Sequence, residues 1–332
     1  MSIIFRTRII LTLLMFTLLS GILSQAQEES IELDPACSGK DSPFSPYQES
    51  LDVYCDDVFM YIEAQSLADH DMMIGITAWN QQVPLPQHFE EDNAWRIPLF
   101  PEIADEQTPT TGQGPNAVAI NGVMIFNPTQ QSGIYDENHD PLLIGELDVC
   151  GGHSGRADDY HYHIAPNCIL EELIEIGDMT QPIAYALDGF PIYGYENADD
   201  SPLELDECGG EFDADGNYHY HAQHQYPYIN ACFTGIVDFE LQPATHPIRA
   251  AGEPIIVLIT DYYEDEDGTI HLEYEFEGQL LSIIYHEMDE GCYEFQYSDT
   301  GQIEEYCGNI GQGTNPPPND NDDRPPPPTP GN

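Results

Sequence analysis

Two tetrapeptides carry the densest potential chemistry in the chain, Tyr160-His161-Tyr162-His163 and Tyr218-His219-Tyr220-His221. Each follows a Leu-Asp-x-Cys-Gly-Gly segment, Leu147 to Gly152 in one case and Leu205 to Gly210 in the other. The distance from cysteine to first histidine is 11 residues in both, which marks an internal repeat and predicts two equivalent units related by a pseudo-two-fold. In an extended strand, residues two apart share a face, so each tetrapeptide sets two imidazoles on one side and two phenols on the other. With the two strands as neighbours about 4.8 Å apart, His161, His163, His219 and His221 converge. Neutral imidazole is a ligand for zinc, copper, iron and nickel, so the expected chemistry is transition-metal binding. His153, three residues after Cys150, is the expected fifth participant; Glu211 occupies that place in the second copy and is also of a ligating type. A site of three ligands with an open position is catalytic in style, and a closed site of four is structural. The competing reading is a repeated tyrosine-rich core strand whose histidines are only structural. Two copies in one register favour the metal.

Other groups carry less weight. Asp188 opens Asp188-Gly189-Phe190-Pro191, between the two tetrapeptides; its carboxylate can ligate, orient a histidine or stabilise a turn, and the turn is the stronger reading. Asp213, Asp215 and Asn217 are spaced like the start of a calcium loop. The sixth position is Tyr218 and the twelfth His224, so a hairpin turn is the better reading, with calcium as a lesser cofactor candidate. His70, His139 and His224 are candidates for positioning or substrate contact. Arg156, the only basic residue between Arg96 and Arg249, is expected to pair with a local carboxylate and is a minor candidate for holding an anionic group. His286-Glu287 lacks the second zincin histidine, and Gly152-His153-Ser154-Gly155-Arg156 lacks the last glycine of a nucleophile elbow.

The elements that must position these residues are short. Runs such as Val58 to Ile62, Ala117 to Ile120 and Ile183 to Leu187 are bounded by Asn-Gly, Asp-Gly or Pro, which predicts strands and turns. One helix is expected over Ile169 to Ile176, where Leu170, Leu173 and Ile174 recur at helical spacing. Eight cysteines, at 37, 55, 150, 168, 208, 232, 292 and 307, leave connectivity open among 105 pairings, with four bridges between sequential neighbours the simplest scheme. Arg6 and Arg8, the apolar run Ile9 to Leu23 and Ser24-Gln25-Ala26 read as a secretory signal cleaved near Ala26, hence a secreted or periplasmic chain without a membrane span after cleavage. An oxidising compartment agrees with disulfides. The expected organisation is a signal peptide over 1–26, an arm over 27–50, a β-rich domain over 51–245, a β-hairpin module over 246–310 and a Pro-rich extended tail over 311–332. Two strands within Pro254 to Thr260 and Thr269 to Phe276 build that module, and Cys292 and Cys307 flank a hairpin turning at Asp299-Thr300. The fold class is thus mainly β, with a small antiparallel C-terminal module.

Sixty acidic residues stand against seven Lys and Arg, a net charge of −53, which becomes −55 once Arg6 and Arg8 are removed. Nothing in that balance can neutralise phosphates, so nucleic acid is excluded as a partner and anionic lipid is disfavoured. Metal cations and neutral or cationic molecules remain.

The chain resembles the YHYH-domain family. The resemblance rests on the two tetrapeptides, Asn121-Gly122-Val123-Met124-Ile125-Phe126-Asn127, Cys150-Gly151-Gly152-His153, Ala186 to Gly194, Tyr226-Pro227-Tyr228 and Asp69-His70, and spans about Val58 to Phe233. It implies an exported protein, lipid-anchored or secreted, and no particular reaction. Cys37 lies too far past Ala26 for lipid attachment at the signal, and the C-terminal module and tail lie outside the resemblance.

Three functions follow in order. First is a binding or storage module for one divalent transition metal per chain, copper or zinc. Second is a metal-dependent extracytoplasmic enzyme, hydrolase or oxidoreductase, acting on a neutral or cationic substrate. Third is a cell-surface interaction protein with structural histidines.

Overall fold

The computed structural model describes residues 34–110, 114–128, 134–199, 201–243, 249–250, 252–289 and 291–308. The expected signal peptide and Pro-rich tail lie outside them. The arm begins as two 3-10 turns, Pro35–Cys37 and Ser42–Tyr47, and is tied to the first strand by a Cys37–Cys55 disulfide.

The N-terminal strands are β1 (Leu51–Cys55), β2 (Phe59–Ala64), β3 (Ala78–Trp79), β4 (Trp95–Pro98) and β5 (Ile103–Pro109). An antiparallel sheet in the order β1-β2-β4 forms from them, and Met60, Ile62 and Ala64 alternate into the core as the period of two requires.

The next elements are β6 (Pro115–Ala119), β7 (Met124–Phe126), α1 (Pro141–Ile144), β8 (Gly152–Ser154) and β9 (Tyr160–Tyr162). After α2 (Asn167–Ile176) come β10 (Ala184–Ala186), β11 (Pro191–Tyr193), β12 (Gly210–Phe212) and β13 (Tyr218–His221). These eight strands make one mixed sheet in the order β12-β13-β11-β10-β6-β7-β9-β8. That order is a palindrome about the β6–β10 pair. β8 and β12 lie antiparallel to their tetrapeptide strands, while β7 and β11 lie parallel to them. The repeat is therefore longer than the tetrapeptides suggest. Ala117-Val118-Ala119-Ile120-Asn121-Gly122 opens the first unit and Ala184-Tyr185-Ala186-Leu187-Asp188-Gly189 opens the second. Asp188 does not lie between the copies; it starts one.

Helix α2 is buried through Ile169, Leu170 and Leu173, whereas Ile174 faces solvent. Gly177, in the left-handed region, caps its C-terminus.

The remaining strands are β14 (Cys232–Gly235), β15 (Ile255–Ile256), β16 (Leu258–Glu264), β17 (Ile270–Phe276), β18 (Gln279–Asp289), β19 (Cys292–Tyr297) and β20 (Ile303–Cys307). β14 pairs with β5 and β15 with β3, and β16 to β20 form an antiparallel meander in chain order. Cys292 and Cys307 face each other in register. All four disulfides join sequential neighbours, 37–55, 150–168, 208–232 and 292–307.

The meander shares its core with the preceding strands. Ile259 exchanges backbone hydrogen bonds with Gly75 and Ile76, Tyr274 meets Trp79 edge-on, and the Tyr285 hydroxyl donates to the Pro84 carbonyl at 2.8 Å. Arg249, fully buried, grips the Asp158 carboxylate at 2.7 and 2.9 Å and lies over the Phe295 ring. Here the expectation for Arg156 fails: Arg156 is exposed and has no ion pair among the described residues. The arginine that found a buried carboxylate is Arg249, far away in sequence. Among the described residues, no helix is long and apolar enough to cross a membrane.

Candidate metal centres

The four tetrapeptide histidines do not converge. β9 and β13 are separated by β7, β6, β10 and β11, five strand spacings or roughly 24 Å along the sheet. Each instead meets a residue from the edge strand beside it. His153 is the cross-strand partner of His161, and Glu211 is the cross-strand partner of His219. Two clusters result, His153/His161/His163 and Glu211/His219/His221. They lie on the same sheet face, because His161, Met124, Val118 and Tyr185 follow one another in lateral register, with Pro191 and His219 completing the row.

The sequence builds each cluster by one local device. Gly151 and Gly209 take φ of +94° and +87°, which a Cβ disfavours. A Cβ on Gly152 would lie 2.5 Å from the Tyr160 hydroxyl, and one on Gly210 would lie 2.3 Å from that of Tyr218. The double glycine thus turns the chain and admits the first phenol of the tetrapeptide. That phenol is held by the aspartate two residues before the cysteine: Tyr160 donates to Asp148 at 2.6 Å and Tyr218 to Asp206 at 2.9 Å. The second phenol meets the residue that opens the unit. Tyr162 accepts from the Asn121 amide at 2.9 Å, and Tyr220 donates to the Asp188 carboxylate at 2.6 Å. With the phenols fixed on one face, the imidazoles are held on the other.

In the first cluster, Nε2 of His163 lies 3.1 Å from Nε2 of both His153 and His161. His161 presents Nδ1 to the Asp159 carbonyl at 2.9 Å and to its carboxylate at 3.3 Å. Both are acceptors, so the Nδ1 carries the hydrogen and the neutral ring keeps a lone pair at Nε2. One proton on the His163 Nε2 cannot serve both 3.1 Å contacts well. A cation shared by three lone pairs satisfies all of them. Burial, with the adjacent His161, holds His153 well below the usual imidazole range. Burial and the neighbouring imidazoles do the same to His163, whose ring nears the backbone of Asn127 and Phe126. Both rings are therefore neutral, as metal ligands must be. For metal–nitrogen bonds of 2.0–2.1 Å, tetrahedral geometry sets nitrogens about 3.3 Å apart. The observed separation is close. Gly155 allows this packing, since a Cβ there would lie 2.4 Å from the His161 ring.

In the second cluster, Nε2 of His219 and His221 are 3.1 Å apart, and Oε1 of Glu211 lies 3.9 and 3.8 Å from them. His221 donates from Nδ1 to the Gly194 carbonyl at 2.8 Å, and burial lowers its pKa. Glu211 accepts from the Asn197 amide at 2.9 Å and the Glu204 N–H at 2.7 Å. Tyr193 stands edge-on to His219 where Phe126 stands against His161.

Asp188 and His70 join neither cluster. Asp188 accepts from Tyr220 and from the N–H groups of Gly235 and Phe190, and so stabilises the turn. His70 is on the phenol face, with Nε2 2.6 Å from the Tyr162 hydroxyl. Cys150 and Cys168 lie near it, but they are bonded to each other and offer no thiolate. The Asp213 carboxylate accepts from the N–H groups of Asp215 and Asn217 and the Asn217 amide, so its oxygens serve the hairpin turn rather than a calcium loop. His139 pairs with Asp136 and His224 stacks on Tyr195, and neither belongs to a cluster.

Asp159 and Gly155 were not legible as site residues. Burial raises the Glu146 carboxyl, and the Glu-Leu-Asp at 146 and 204 extends the repeat by one residue.

A mainly β protein with a duplicated Cys-Gly-Gly and Tyr-His-Tyr-His unit is the class that fold and clusters define. Residues 94–204 match the family described as YHYH protein, a third of the chain that includes the first tetrapeptide and ends before the second. No curated protein and no solved structure matches the chain.

Proposed function

We propose that the chain is an exported transition-metal-binding protein and that His153, His161 and His163 hold the ion. The observation that carries this reading is the convergence of three buried Nε2 atoms, with His161 fixed through its Nδ1–H at Asp159. Neutral imidazoles suit copper and zinc among available ions. Four disulfides suit an oxidising compartment and support export.

A second reading, a metal-dependent enzyme, is favoured by one specific observation. The cluster offers three ligands, and a tetrahedral ion there keeps one position for water or substrate. Storage and catalysis share that first requirement, an ion at the three histidines. Metal analysis of untagged protein and of His161→Ala tests it. Loss of one equivalent in the variant, with the fold retained, supports the proposal; unchanged content rejects it.

A further inference from the structure

We infer that the Glu211/His219/His221 cluster is a second, separate metal site, one in which a carboxylate oxygen replaces one imidazole of the three-histidine site. The inference rests on the duplicated unit being metal-binding, and it adds a site of different chemistry.

The geometry is specific. The three ligand atoms are separated by 3.1, 3.8 and 3.9 Å; the nearest point equidistant from them lies in their plane about 2.1 Å from each, and a tetrahedral ion draws the Glu211 oxygen about half an ångström closer to the histidines. Hydrogen bonds orient two of the three donors. His221 commits its Nδ1–H to the Gly194 carbonyl and so offers Nε2. Glu211 is held by Asn197 through the same oxygen that faces the histidines and by the Glu204 N–H through the other. A ligating carboxylate with its own hydrogen-bond donors is the usual arrangement around a metal.

The two sites differ by one ligand. The pseudo-two-fold superposes Glu211 on His153, since each is the cross-strand partner of the first histidine of its tetrapeptide. Two imidazoles and one carboxylate, with the remaining positions open, is a ligand set shared by catalytic zinc and non-haem iron(II). Three neutral imidazoles lack that anionic oxygen donor. The separation of roughly 24 Å makes the pair two mononuclear sites and not one dinuclear site.

The test uses the full exported chain, stripped with chelator at neutral pH and titrated with cobalt(II) or zinc(II), then desalted. Cobalt(II) is expected to bind at two equivalents, one lost in His161→Ala and the other lost in Glu211→Ala. Zinc(II) is expected to behave alike, with one equivalent left in His161→Ala and none in the His161→Ala/Glu211→Ala double variant. Glu211→His, which copies the first site, is expected to keep two equivalents of cobalt(II) and zinc(II). Glu211→Gln, close in shape and able to keep the Asn197 contact, is expected to lose the same equivalent should the alanine variant fail to fold. A single equivalent in the native chain, or two retained by folded Glu211→Ala and Glu211→Gln, would overturn the inference and leave the three-histidine site standing. No uptake of any ion would remove both.

Discussion

His153 and Glu211 occupy the same place in the two halves of one sheet, each paired across an edge strand with the first histidine of a Tyr-His-Tyr-His. The backbone around them is nearly identical. His163 and His221 donate their N–H to Gly151 and Gly209, and Asp148 and Asp206 donate to Gly152 and Gly210, at matching distances. The units differ at side chains beside the clusters, His153 against Glu211, Gly155 against Asp213 and Phe126 against Tyr193, as well as on the phenol face, Asn121 against Asp188. A duplicated scaffold with unlike linings thus presents unlike donor sets at its two ends.

Gly155→Ala tests the packing behind His161. The added methyl meets the imidazole at 2.4 Å and must turn it off the Asp159 carbonyl. We expect metal affinity at the three-histidine site to fall about 10- to 100-fold, as when a ligand loses its orienting partner, and the overpacking to cost the metal-free protein about 1–3 kcal/mol. Competition titration with a chromophoric chelator reads the loss. Unchanged affinity would separate His161 from the site.

Asp148 and Asp206 have the same role at different depth. Asp148 is buried and accepts from the Met73, Cys150 and Gly152 N–H groups and from Tyr160. Asp206 is exposed and accepts from Cys208, Gly210 and Tyr218. Asp148→Ala strands buried donors and should cost about 3 kcal/mol or more, whereas water can serve those left by Asp206→Ala, for about 1 kcal/mol. Denaturant unfolding with the disulfides intact compares them. Equal costs would mean that burial does not set the difference.

Much of this was visible in the residues. The alternating tetrapeptides gave the strands and the division into imidazole and phenol faces, and sequential cysteine pairing matches all four bridges. The single four-histidine site was not correct, because spacing within a repeat says nothing about where the copies sit in a sheet. Once Ala117 to Gly122 is matched with Ala184 to Gly189, each tetrapeptide belongs to its own four-strand unit, and the copies fall at opposite ends. The Arg249–Asp158 pair was illegible for another reason. It joins residues 91 apart, and no local pattern marks either of them.

That pair connects the C-terminal sheet to the first cluster. Asp158 also accepts from the Val83 and Leu85 N–H groups, and its neighbour Asp159 orients His161. Arg249→Met leaves a buried carboxylate without its partner and should destabilise the protein by about 3–5 kcal/mol. Pairing it with Asp158→Asn should recover part of that loss. A double variant no better than the single one would show that the charge is not what matters.

The metal-free protein should weaken as pH falls. His153 and His163 have folded pKa values depressed by burial, so below the unfolded value of about 6.5 the unfolded chain binds protons that the folded chain refuses. The effect is absent well above that pH and grows below it, until the folded pKa is reached. Each histidine contributes about 1.4 kcal/mol per pH unit in that window. Because Asp148 and Asp188, raised by burial, act in the opposite sense, the informative comparison is with His163→Gln, which should have a shallower slope by one proton. Urea unfolding at pH 7.5, 6.5 and 5.5 reads it. Identical slopes would place His163 in water rather than among its neighbours.

The most direct measurement is the metal content of untagged protein purified with its disulfides intact, set beside that of His153→Ala and His161→Ala. Copper or zinc in the native chain, with about one equivalent lost in both variants while the Glu211 site keeps its own ion, is the expected result. Native protein that carries no transition metal, and takes up none on titration at neutral pH, would contradict metal binding by the histidine clusters altogether.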